Sequence, residues 1–284
     1  MQFEKLNFDN VHKLTPFLTQ QKVALCDYTP ATLAMWSNFY CHEFAVCDGC
    51  AFVRSLTLFS PGEISYMVLG DVEKGVQLLK EFCPKGKISL SPVDSHSLEF
   101  FKNQKGFVAN KLENWSDYVY LAENFATLKG KKYTQKRNHV KRFSKYNWSC
   151  ATLSDHNFEK VVDFLQKVSA QSVQALHELV ATVNLLKHRQ LFDLHTLILS
   201  VDNQVVGFTL AEAKGDTLVV HTERADKNFE GSFEALAHNF AKINQQFTYL
   251  NREEDMGIEG LKKAKRSWHP IFMLDKYEVF IDND

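Results

Sequence analysis

The chain has 284 residues, 45% hydrophobic and 24% charged, with a formal charge of −1. That length holds one large or two ordinary domains with buried cores, and the composition excludes a disordered chain. No apolar run approaches the length of a membrane span and residues 1–5 hold no apolar leader, so a cytoplasmic protein without a transmembrane segment is expected. The six cysteines (26, 41, 47, 50, 83 and 150) lack the regular spacing of a disulfide framework, which suits a reducing compartment.

In chain order, residues 8–19 read as a short helix. Thr29 and Pro30 open another through about Tyr40, the threonine as N-cap and the proline at the first helical position. Asp48-Gly49 between two apolar, β-prone runs signals a type I′ hairpin that ends near Arg54. It sets Cys47 and Cys50 opposite each other as flanking strand residues. No further committed ligand joins Cys41, His42, Cys47 and Cys50, so no metal site is expected. A strand at 64–69 precedes a helix capped by Asp71, with Val76, Leu78, Leu79 and Phe82 as its core-facing positions. A strand at 87–90, a helix at 94–104 and strands at 107–112 and 118–121 follow. Pro61-Gly62 and Lys85-Gly86 read as ordinary turns rather than as a phosphate loop.

Residues 128–145, L-K-G-K-K-Y-T-Q-K-R-N-H-V-K-R-F-S-K, carry eight Lys or Arg, and no acid occurs between Glu123 and Asp155. Set against the overall −1, these eight cations leave the remainder at about −9. Charge is therefore segregated, and the segment reads as an anion site. As a helix from Gln135 to Tyr146 it turns Val140 and Phe143 inward with Lys136 between them, and Lys141, Arg142 and Lys145 outward. The inner lysine suits a specific phosphate or carboxylate contact and the outer ones diffuse attraction, although a solvated basic helix fits the same pattern.

Helical patterns at 156–167 and 173–188 lead into strands at 194–201 and 204–213, joined at Asp202-Asn203. After Lys214-Gly215-Asp216 comes a third strand, 217–223. On it His221 and Glu223 share a face, as an acid/base pair or as packing residues. A helix at 229–243, a strand at 246–250 and a final strand at 271–280 complete the set. No G-x-S-x-G, H-E-x-x-H or Walker motif occurs. Helices and strands interleave throughout, which asks for α/β layers with mixed sheets.

The stretch 251–270, N-R-E-E-D-M-G-I-E-G-L-K-K-A-K-R-S-W-H-P, sits at a strand-to-helix junction, where α/β proteins place ligands. On a helix from 257 to 268, Ile258, Leu261, Ala264 and Trp268 share one side, and Lys265 falls on that stripe. A lysine there must snorkel or meet a carboxylate, and Glu253, Glu254 and Asp255 are nearest in sequence. A blander account makes Asp255 an N-cap, lets Glu253 and Glu254 favour the helix start, and leaves Lys262, Lys263 and Arg266 in solvent.

Together, L-K-G-K-K-Y-x-x-K-R-N-H at 128–139 and N-R-E-E-D-x-G-x-x-G-L-x-K-A-K-x-S-W-x-P at 251–270 resemble the phosphatidylglycerol lysyltransferase C-terminal domain family of bacteria. The resemblance covers nearly the whole chain. It implies two tandem GNAT-like acyltransferase domains, 1–125 and 126–284, the second beginning with the basic segment, related to Fem-type transferases that take amino acids from aminoacyl-tRNA. The activity it implies is aminoacyl or acyl transfer to an amine or hydroxyl. GNAT proteins that use coenzyme A carry a glycine-rich loop after the meander. That place here reads Arg224-Ala225-Asp226-Lys227-Asn228-Phe229-Glu230-Gly231-Ser232, one glycine behind two acids. The departure favours aminoacyl-tRNA over acyl-CoA as donor.

On this reading Glu253, Glu254, Asp255 and Lys265 are the catalytic candidates, and Lys131, Lys132, Lys136, Arg137, Asn138, Asn251 and Arg252 hold the anionic donor and its phosphates. Two rivals remain. One is a non-catalytic binding protein for tRNA or an anionic headgroup, with peripheral contact to anionic lipid. The other is an N-acetyltransferase using acetyl-CoA.

Overall fold

The computed structural model describes residues 1–56, 63–102, 104–169 and 173–283. The Pro61-Gly62 turn lies outside them. The chain divides into two compact units, one of residues 1–118, 253–262 and 273–284, the other of 119–252 and 263–272.

The first unit is one mixed sheet. Its strands are β1 (Glu4–Lys5), β2 (Glu43–Cys47), β3 (Cys50–Leu56), β4 (Ile64–Leu69), β5 (Gly86–Asp94) and β6 (Phe107–Lys111), with Lys276–Asn283, β14 in chain order, inserted between β5 and β6. β4 and β5 run parallel, joined through α3 (Val72–Phe82), and the other neighbours are antiparallel. Asp48 and Gly49 take φ of 49° and 79°, the left-handed pair that a type I′ turn requires, so Cys47 and Cys50 stand in register across it. Residues 8–19 form a 3₁₀ turn (Val11–Leu14) and then α1 (Thr15–Leu18) rather than a single helix. Thr29 Oγ1 accepts the Thr32 amide at 3.3 Å ahead of α2 (Pro30–Trp36), and Asp71 Oδ1 accepts the Lys74 amide at 3.0 Å ahead of α3. Val76 and Leu79 of α3 pack with Phe52, Leu90, Val279 and, from α4 (Ser95–Lys102), Phe101.

The single strand expected at 271–280 is two. Phe272–Leu274 (β13) lies in the second sheet and β14 in the first, where Val279 and Ile281 fill the core. A linear division at 125/126 leaves that last strand with the second half, whereas its ladders to β5 and β6 place it in the first unit.

The second sheet has the order β13-β7-β12-β11-β10-β9-β8. Its further strands are β7 (Asp117–Leu121), β8 (Trp148–Ala151), β9 (Leu194–Val201), β10 (Gln204–Lys214), β11 (Thr217–Ala225) and β12 (Tyr249–Asn251). The helices that follow β7 are α5 (Ala122–Thr127), α6 (Thr134–Phe143), α7 (Phe158–Ser169), α8 (Val173–Lys187), α9 (Ser232–Ile243) and α10 (Glu259–Arg266). Strands β9, β10 and β11 form the antiparallel meander expected from Asp202-Asn203 and Lys214-Gly215-Asp216. Strand β11 runs parallel to β12 only from Thr217 to Val219. Beyond that point β11 continues to Ala225 while the chain leaves β12, which opens the sheet between them.

Candidate functional site

Arg252 follows the last residue of β12 and forms an ion pair through Nη2 with Glu223 Oε1 on the open half of β11; the two side chains are 14% and 13% exposed. Its guanidinium carbon lies 5.8, 5.6 and 5.8 Å from the ring centres of Tyr120, Phe125 and Trp268. These rings are fixed in turn. Phe125 stacks on Trp268 at 4.1 Å and 11°, Tyr120 donates its hydroxyl to the Lys265 carbonyl at 2.9 Å, and Tyr133 donates to the Trp268 carbonyl at 3.3 Å. Burial alone would lower the Arg252 guanidinium, but Glu223 and Tyr120 hold it above the ordinary arginine value. Arg252 Nη1 is buried and has no hydrogen-bond partner among the described residues. A delocalised cation on aromatic faces with one donor unpaired among the described residues is suited to a substrate oxygen.

Lys136 joins the same group. Its Nζ is 3.3 Å from Glu234 Oε1 and 4.5 Å from the Trp268 ring. Burial lowers its ammonium, against the attraction of Glu234. Lys265, 7% exposed, donates from Nζ to the Arg252 carbonyl. On α8, Glu178 pairs with Arg224 and Thr182 Oγ1 meets Thr222 Oγ1 at 2.8 Å. Burial raises the Glu178 carboxyl although Arg224 and Lys265 pull it down.

His221 and Glu223 do not act on one partner. The ladder to β10 pairs Leu210 with Thr222 and Ala211 with Val220, so His221 is the extra residue of a bulge. Its Nε2 lies 3.5 Å from Glu212 Oε2, while Glu223 holds Arg252. The apolar stripe expected on α10 also differs. Lys265 and Trp268 are the buried positions, and Ile258 is 47% exposed, Ala264 exposed and Leu261 half-buried. The reason is local. The helix begins only at Glu259, after a turn in which Asp255 Oδ1 accepts the Gly257 amide at 2.8 Å and the Asp255 carbonyl accepts that of Ile258 at 2.9 Å.

The acids of the motif lie in the first unit. The Glu253 carbonyl accepts the Tyr118 amide at 3.1 Å, and Glu253 itself is left-handed at φ 56°. Asp255 Oδ2 accepts the Tyr118 hydroxyl at 2.5 Å. Glu254 Oε2 is 3.1 Å from Lys276 Nζ, which also lies 2.6 Å from Asp27 Oδ2, 2.8 Å from Asp117 Oδ1 and 3.1 Å from Cys26 Sγ. Burial alone would lower this ammonium, but Asp117, Asp27, Cys26 and Glu254 outweigh it and hold Lys276 well above the usual lysine range. The Cys26 thiol goes up too, through burial first and then Asp117 and Asp27. Cys26, Asp117 and Glu254 place metal-ligating atoms within 4.8 Å of one another, and the Lys276 ammonium reaches all three. Asp27, Asp117 and Lys276 were missed in the sequence because up to 250 positions separate them from their partners.

In the basic segment, Arg137 donates to the carbonyls of Leu128 and Gly130 and to Thr134 Oγ1, pinning a turn whose first and last residues have φ of 50° and 93°. Lys131, Lys132, Asn138, Lys141, Arg142 and Lys145 are exposed, and Asn251 is fully buried at the end of β12. Gly231, the one glycine of the stretch before α9, packs against the His139 carbonyl so closely that a Cβ there would overlap it. The start of α9 is thus covered by α6, and Arg142 meets Glu230 beside it at 2.6 Å.

Two mixed sheets with flanking helices, the second carrying a meander and a parted parallel pair, make this an α/β chain of two mixed-sheet units. It belongs to the phosphatidylglycerol lysyltransferase C-terminal family, whose pattern matches residues 24–280. An uncharacterised protein of Mycoplasmoides gallisepticum is 25% identical over 175 residues, 59% of this chain and 56% of that protein, so the chain matches little more than half of that relative. A conserved protein of unknown function from Bacteroides thetaiotaomicron superposes with a TM-score of 0.88 at 26% identity, over 99% of this chain and 100% of the other. L-PGS from Bacillus licheniformis superposes with a TM-score of 0.66 at 12% identity, over 96% and 92%, a likeness of fold. Among the described residues no helix is long and apolar enough to cross a membrane.

Proposed function

We propose that the chain is a cytoplasmic aminoacyl transferase that moves an activated acyl group from aminoacyl-tRNA to an amine or hydroxyl acceptor, an anionic phospholipid among the candidates. Family membership supplies the reaction class, and the observation that carries the site is Arg252: half-buried, clamped by Glu223 and three rings, with Nη1 lacking a partner among the described residues. In such a transfer the acceptor attacks the ester carbonyl, negative charge grows on the carbonyl oxygen, and the tRNA hydroxyl leaves. A preorganised cation shielded from water stabilises that charge more than it does the ground state. Glu178, whose carboxyl burial raises against the pull of Arg224 and Lys265, is the base we assign, and Lys265 ties it to Arg252 by bonding the Arg252 carbonyl while acting on the Glu178 charge. Lys136 keeps its place as a donor contact, and the exposed Lys131, Lys132, Lys141 and Lys145 attract the polyanion. In this assignment Glu254 and Asp255 fix the turn that carries Arg252 and Lys265 rather than touching substrate.

The test is transfer by the purified chain from a mixture of aminoacyl-tRNAs to phosphatidylglycerol vesicles and to soluble amines. Arg252→Lys keeps the charge but loses the planar fork. We expect it to lower transfer about 100-fold with the melting temperature little changed. Turnover of acetyl-CoA by the wild type, with no transfer from aminoacyl-tRNA, would give the site to the N-acetyltransferase class instead.

A further inference from the structure

Cys47 ends β2 and Cys50 begins β3, and the register of that hairpin sets their Cα atoms opposite each other across Asp48 and Gly49. An antiparallel pair that flanks a two-residue turn holds its Cα atoms about 5.5 Å apart. A disulfide spans roughly 4.4–6.8 Å between Cα atoms, so the pair falls inside its range. Opposed residues of a ladder also share a face. Both thiols accordingly meet the same apolar cluster, Cys50 within it and Cys47 packed against it. Burial raises the Cys50 thiol, and the charge of Cys47 adds to the rise. Both cysteines are free, Cys50 with no exposure and Cys47 half-buried. A reagent in solution can reach one sulfur, and the turn holds the second beside it.

We propose that Cys47 and Cys50 form a redox modification site, closing to a disulfide by exchange with a small disulfide of the glutathione type. This role does not rest on the transfer activity proposed above. Cys47 attacks first, as thiolate, on one sulfur of the small disulfide. That S–S bond breaks, and the departing thiolate takes up the proton that Cys47 gave. Cys50 then attacks Cys47 Sγ, and the second small thiolate leaves with the Cys50 proton. Two thiols and one disulfide become one disulfide and two thiols, so electrons and protons balance. The bridge spans only Asp48 and Gly49 and removes little freedom from the unfolded chain, so an excess of the small thiol reopens it. Closure is also felt at α3. The Cys50 thiol donates to the Asp71 carbonyl at 3.6 Å, where that helix is capped, and oxidation removes this donor.

The experiment holds the folded full chain in glutathione disulfide, alkylates the remaining thiols, and cleaves on the N-terminal side of aspartates. Cleavage before Asp48 separates Cys47 from Cys50, so mass spectrometry finds the two fragments joined only where a bridge links them. They should be joined in excess glutathione disulfide and separate again after excess glutathione. The link should persist in Cys41→Ser and in Cys83→Ser, and be lost in Cys47→Ser and in Cys50→Ser. Separate fragments from the wild type in excess glutathione disulfide would overturn the inference. A link that survives Cys47→Ser would overturn it too, by assigning the bridge to Cys41 on the same fragment. So would a link that forms in urea and not in the folded chain, because the hairpin would then not be what brings the sulfurs together.

Discussion

The two units each surround a cation with partners, in opposite ways. Around Lys276 the first unit sets three carboxylates and a thiol, so the ammonium's three hydrogens have more acceptors than they can use. Around Arg252 the second unit sets one carboxylate and three aromatic faces, and one nitrogen lacks a partner among the described residues. An over-supplied cation holds residues together that are distant in sequence, and an under-supplied one is ready for a further acceptor. The difference separates a knot from a site, although both draw on the same motif, Asn251 to Asp255.

The largest test of that contrast is to remove each cation. Lys276→Met leaves Asp117, with no exposure, beside Asp27 and Glu254 without their counter-charge, and should cost about 3–5 kcal/mol. At about 2–4 °C per kcal/mol for a chain of this size, melting should fall on the order of 10 °C. Arg252→Met leaves one carboxylate, Glu223, without its partner and should cost about 1–3 kcal/mol. Thermal scans of the two variants side by side decide it, and equal losses would erase the distinction between the units.

Acid should act on the first unit next. His42 is buried with Nδ1 3.2 Å from the Leu33 carbonyl, and burial lowers it to about 4 from 6.5. A folded value below the unfolded one gives stability that is complete above pH 6.5 and lost as pH falls toward 4, on the order of 3 kcal/mol in all. Denaturant melts across that window should slope in the wild type and flatten in His42→Gln. A slope that survives the substitution would assign the acid sensitivity elsewhere.

The smallest effect on the fold should come from reversing Lys141, Arg142 and Lys145 to Glu. These residues are exposed, and the Arg142–Glu230 pair is worth at most about 1 kcal/mol. Binding of tRNA should nevertheless weaken, and its salt dependence should become shallower. Binding of tRNA at wild-type strength by the triple variant would leave the island a solvated face.

Where one local interaction decides an element, the sequence was enough. The Asp48-Gly49 turn, the Thr29 and Asp71 caps, the meander turns and the segregated charge of 128–145 all depend on neighbours a few residues apart. The two motifs were visible as unusual chemistry, and Arg252, Lys136 and Lys265 stand together in the second unit as residues of interest. What the sequence hid depends on register. Glu223 meets Arg252 only because of strand pairing, His221 turns away only because of a bulge, and Lys276 finds Asp27 and Asp117 only through the fold. The wheel for α10 was right for Lys265 and Trp268, which a backbone carbonyl and a ring stack hold inward, and wrong for Ile258 and Ala264, because the helix begins only at Glu259.

The place of β14 bears on how the protein is made. Ile281 stands opposite Ile88 on one side and Phe107 on the other, so the sheet of the first unit lacks an inner strand until the ribosome has passed residue 283. Until then β5 and β6 present bare edges to other nascent chains, and the order of synthesis is not the order in which the units can be finished. The second unit is encoded inside the first and has had time to form before the first one closes.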